Sequence, residues 1–195
     1  MKTHYWLSYP ADYKNQLKPL LHQQMWLFGR DILCPDGNLL YQYNFTHHCA
    51  GDNGSSMYTC SDKDRQIVLW GWGIWIGKPE LGAIFVNRYK VLPQFTAVST
   101  LPEAIHRQTG LPHLTHRVAS EEQAHVMCQL WTELLEWLAT YEAWVFEKQG
   151  VAWRQAALEP FKHAVTPAEN LDQLANQWQT LANQSQSLTI EAFTP

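Results

Sequence analysis

The chain alternates between two hydrophobic rhythms, and the change of rhythm falls near residue 98. From Met25 onward the apolar positions recur every second residue and turn residues punctuate them, the signature of strands. Met25–Cys34 and Asn38–Thr46 flank Pro35-Asp36-Gly37 and so predict a hairpin, with Leu39, Tyr41, Tyr43 and Phe45 on one face of its second arm. A polar loop, HHCAGDNGSS over 47–56, follows, then extended character over Met57–Cys60 and a charged turn at Asp62-Lys63-Asp64-Arg65. Gln66–Gly77 and Leu81–Val91, joined by Lys78-Pro79-Glu80, complete an antiparallel meander of about five strands over 25–91. Ahead of it, Tyr9–Gln24 reads as a short helix carrying Leu17, Leu20 and Leu21 on one side, with Pro19 at a kink or near its start.

Beyond Pro93 the period becomes helical. Thr100–Thr109 reads as a short helix ended by Gly110-Leu111-Pro112. Ser120 with Gln123 opens a capping box, and Met127, Trp131, Leu134, Leu138, Tyr141 and Val145 recur at spacings of three and four up to a stop at Gly150. A further helix over 151–164 is interrupted by Pro160. The last has Thr166 as N-cap, Pro167 behind it and a seam of Leu171, Leu174, Trp178 and Leu181. The tail after Gln184 is frayed or adds a short strand. The expected class is α+β: a meander of about five strands, then three or four helices over 100–184 packed on the sheet, forming a single globular domain of residues 1–195.

Composition narrows the function classes more than it identifies one. A hydrophobic fraction of 46 % with net charge −4 excludes an intrinsically disordered chain. The charge is uneven, slightly positive before residue 98 and acidic after it, with no basic stripe, so no nucleic-acid partner is expected. Glu133, Glu136 and Glu142 interrupt the most apolar helix, so no membrane span is expected. The N-terminus has no signal-like apolar run and the four cysteines form no C-x-x-C pair, which points to free thiols and a cytoplasmic location. Ten tryptophans against 16 % charged residues resemble interface composition more than bare surface.

Candidate chemistry is sparse. In Gln66–Gly77, read as one strand, Gly71, Gly73 and Gly77 share a face with Trp75, which leaves room for a crossing helix side chain such as Trp131 or Trp137, or for a flat ligand ring. Arg30 and Asp31 lie inside an apolar strand and need partners if buried, and Arg88 is a candidate for Asp31 or an anchor for an anionic ligand group. Arg30, Asp31, Gly71, Gly73, Trp75 and Arg88 are therefore the candidate ligand-binding residues. His47, His48, Cys49 and Asp52, with Cys60 or Cys34, carry metal-ligand atoms without a standard spacing, as do His106, His113, His116 and His125. No nucleophile elbow, phosphate loop or H-E-x-x-H is present, so no catalytic residue and no cofactor is assigned. The expectation is a non-catalytic protein acting through protein contacts or self-association. The alternatives are a binder of a small apolar or aromatic, possibly anionic ligand on the Gly71/Gly73 face, and a metal-dependent enzyme on a histidine cluster.

Overall fold

The structure is a computed structural model that describes residues 3–8, 10, 12–28, 39–50, 55–70, 73–78, 82–87, 94–95, 120–158 and 173–193. Helix α1 (Tyr13–Phe28) begins after Asp12, which takes the left-handed backbone at φ 64°, and runs through Pro19. It buries Leu17, Leu20 and Leu21, the predicted apolar side, and Tyr13 with them. Its extent corrects the predicted first strand, because Met25, Trp26, Leu27 and Phe28 continue the helix instead of starting a strand. Extending an existing helix adds one hydrogen bond per residue fixed, whereas a four-residue apolar run alone does not distinguish the two periods.

The predicted strand Asn38–Thr46 is corrected too. Leu39–Gln42 forms one helical turn, α2, closed by Asn44 in the left-handed region at φ 64°. The Phe45 N–H returns to the Leu40 carbonyl at 2.9 Å, the six-to-one bond of a helix C-cap. Asn tolerates that conformation because its short polar side chain lowers the penalty of positive φ. Tyr43 and Phe45 still share a side, stacked with centroids 5.9 Å apart.

The meander therefore starts later than expected, with the segment read as a polar loop. Strands β2 (Thr46–Ala50), β3 (Ser55–Asp62), β4 (Arg65–Trp70), β5 (Gly73–Lys78), β6 (Gly82–Asn87) and β7 (Gln94–Phe95) pair in sequence, all antiparallel. The turn at 62–65 is where the sequence placed it, with Lys63 at φ 57° and Asp62 opposite Arg65. Gln66–Gly77 is not one strand. Trp70 pairs with Gly73, so β4 and β5 are the arms of a hairpin whose connection is Gly71-Trp72.

That hairpin reverses the face assignment. Across a two-residue connection, partners have opposite parity: Ile67 opposes Ile76, and Leu69 opposes Ile74. These four, with Ile84 and Val86, enter the main core, while Val68, Trp75, Ala83 and Met57 form a second buried cluster on the other face.

Helix α3 (Glu121–Leu158) covers the main face against β5 and β6. Ser120 caps it, its hydroxyl accepting the Gln123 N–H at 3.2 Å. All six apolar positions predicted for it are buried, joined by Leu130, Leu135 and Trp137. It passes through Gly150, which corrects the predicted stop and merges the two helices expected on either side. An interior glycine costs only about 1 kcal/mol, too little to end a helix by itself. Helix α4 (Gln173–Ser185) packs along α3 and against α1, burying Trp178, Leu181 and Ala182. The chain ends pair: β1 (His4–Ser8) runs antiparallel to β8 (Thr189–Phe193) as a two-stranded ribbon beside α3. Of the predicted helices, 100–109 and the 160–172 region lie outside the described residues. Among the described residues no helix is long and apolar enough to cross a membrane.

Candidate functional site

Among the described residues the densest charge constellation gathers at the segment 62–65, which the sequence marked only as a charged turn. The tight turn between β3 and β4 presents Asp62, Asp64 and Arg65, and the end of β5 presents Lys78 beside them. Helix α3 brings Glu133 against this corner. Arg65 donates to the Asp62 carboxylate and, through Nη1, to the Glu133 backbone carbonyl at 3.2 Å. Lys78 Nζ lies 2.9 Å from Glu133 Oε1 and 3.2 Å from Asp64 Oδ2, and Gln129 adds an amide N–H to the same Glu133 oxygen at 2.8 Å. The side chains of Arg65, Lys78 and Glu133 are only 7, 13 and 18 % exposed, so their attraction is weakly screened. Glu133 and then Asp64 hold the Lys78 ammonium above its ordinary pKa, and Lys78 holds the exposed Asp64 carboxyl below its own. Each cation already has carboxylate partners, so the corner clamps the sheet onto α3. Glu133, read from sequence as a carboxylate that interrupts the most apolar helix, is the centre of the clamp. The available signal was a carboxylate inside the apolar stripe of a helix together with Arg65 at the head of an apolar strand.

Beside the clamp, Tyr43 stands edge-on to Trp137, Tyr141 and Trp144 at centroid distances of 6.2, 5.0 and 4.9 Å. Burial, then the charge of Asp62, pushes the Tyr43 phenol up to about 12. Burial likewise pushes the nearby Cys60 thiol up to about 12, far from a reactive thiolate. Cys60 and Cys128 are both free thiols.

The candidate ligand residues are only partly brought together. Trp75 is buried and stacks on Phe85, centroids 4.2 Å apart and planes 17° apart. The space above Gly73 belongs to the same ring: a Cβ there would stand 1.9 Å from Phe85 Cε2 and 2.8 Å from the Val86 carbonyl oxygen. The neighbouring strand, not Trp131 or Trp137, thus fills the glycine gap. Gly71, Arg30, Asp31 and Arg88 lie outside the described residues. His47 and His48 are adjacent in β2 and so face opposite sides of the sheet; His48 Nε2 meets Thr59 Oγ1 at 2.9 Å, and His47 packs on Tyr58. His106, His113 and His116 lie outside the described residues, and His125 is exposed, 3.8 Å from Glu121. Among the described residues no three His, Cys, Asp or Glu side chains gather as a metal site.

A cleft of about 410 Å³ opens between α1 and α4, lined by Asn15, Gln16, Pro19, Leu20, Gln177, Thr180 and Leu181. Leu20 and Leu181 are buried at its floor, while Asn15, Gln16 and Thr180 are exposed at its rim. Where the two helices meet, the Tyr13 hydroxyl reaches the Leu181 carbonyl at 3.5 Å while accepting the Trp131 indole N–H at 3.0 Å. No lining residue is charged, and α4 carries no charged residue along its 13 positions. Periodicity marked Leu20 and Leu181 as core, but their helices are about 160 residues apart in sequence, so the cleft between them had no local signal. No protein-family model, no curated protein and no solved structure matches this chain.

Proposed function

We propose that this is a non-catalytic cytoplasmic protein that works through contact with another protein or a second copy of itself, made on the α1–α4 face. The observation that carries the reading is the missing charge on α4: among its described side chains Asn176, Gln179, Thr180 and Asn183 are the exposed ones, and every one is neutral. An ordinary solvated helix carries Lys and Glu there, whereas the centres of protein interfaces are depleted of charge. The adjoining cleft adds an apolar floor within an amide and hydroxyl rim. Four described tryptophans, Trp75, Trp131, Trp137 and Trp178, are buried, so the contact reading rests on this neutral face and not on the tryptophan count. The buried thiols of Cys60 and the half-buried Cys128 fit a reducing compartment.

The test is photo-crosslinking in the cell of origin from an aryl-azide or benzophenone side chain placed at Gln179 or Asn183. An adduct of defined mass, either the dimer mass or one partner, is the expected result. Crosslinks from Glu147, on the exposed part of α3, serve as the control. A ladder no different from that control overturns the proposal.

A further inference from the structure

We draw no further inference here: the strongest candidate, the second apolar face of the sheet, where Met57, Val68, Trp75 and Ala83 cluster with Phe85 on the side away from α3, carries nothing because nothing among the described residues shows what covers it.

Discussion

Trp131 donates its indole N–H to the Tyr13 hydroxyl at 3.0 Å, although 118 residues of chain separate them and both side chains are fully buried. The bond joins the start of α1 to the middle of α3. Burial, only partly offset by this bond, raises the Tyr13 phenol above its ordinary pKa, so it stays neutral over the physiological range. Tyr13→Phe removes the acceptor and leaves a buried indole N–H. The expected cost is about 1–3 kcal/mol in urea unfolding, with α1 amides losing hydrogen-exchange protection first. An unchanged midpoint would show that the bond adds nothing.

Glu133 is the shared partner of Arg65 and Lys78 at the clamp, where all three side chains are mostly buried. Glu133→Ala removes the buried carboxylate and leaves Lys78 with only the exposed Asp64, while Arg65 keeps Asp62, with an expected loss of about 3 kcal/mol, at the low end for a disrupted buried pair. Asp64→Asn acts on a carboxylate that is 72 % exposed and is expected to leave unfolding unchanged within error. Urea midpoints of the two variants side by side check the contrast.

Gly73 is held open by the Phe85 ring. Gly73→Ala forces that ring or the Val86 carbonyl to move and is expected to cost about 1–3 kcal/mol. In the Gly73→Ala/Phe85→Ala double variant the clash with the ring is gone, so the combined loss is expected to be smaller than the sum of the two single losses. Strict additivity in a thermal-unfolding cycle would refute the contact as the cause.

Stability is expected to fall on the alkaline side. The Cys60 thiol ionises near 9.0 in an unfolded chain and near 12 in the folded one, and Tyr43 moves from 10.0 to about 12. Between those values the unfolded chain binds fewer protons than the folded chain, so stability drops as pH rises, starting near pH 9. The Lys78 pair works in the same direction: its contribution is complete below the ordinary lysine pKa of 10.5 and is lost as pH rises through the higher folded value. Urea midpoints from pH 7 to 11 check this, and Cys60→Ala is expected to make the fall shallower while its onset stays near pH 9, because burial also raises the Cys128 thiol above its ordinary 9.0.

The Ser120 hydroxyl caps α3 through the Gln123 N–H. Ser120→Ala is expected to cost about 1 kcal/mol, and Ser120→Asp to restore it. Circular dichroism during urea unfolding reads both.

Local chemistry sufficed for the features whose signal lies within a few residues. The α3 stripe from Met127 to Val145, its Ser120 cap, the Asp62–Arg65 turn and the sequential antiparallel order follow from period, capping and turn residues, which depend on neighbours in the chain. The tertiary structure decided where a local pattern admits two outcomes. An apolar run at Met25–Phe28 extends a helix because the helix is already there, and alternation over Leu39–Phe45 accommodates a helical turn once Asn44 reverses the chain. The connection at Gly71-Trp72 exchanged the two faces of the glycine-bearing segment, since one reversal inverts parity for everything after it. The Glu133 clamp, the β1–β8 ribbon and the α1–α4 cleft join residues 55 to more than 160 positions apart. Such contacts leave no periodic trace, because each partner's neighbours in the sequence are chosen by its own element, and only packing brings the pairs together.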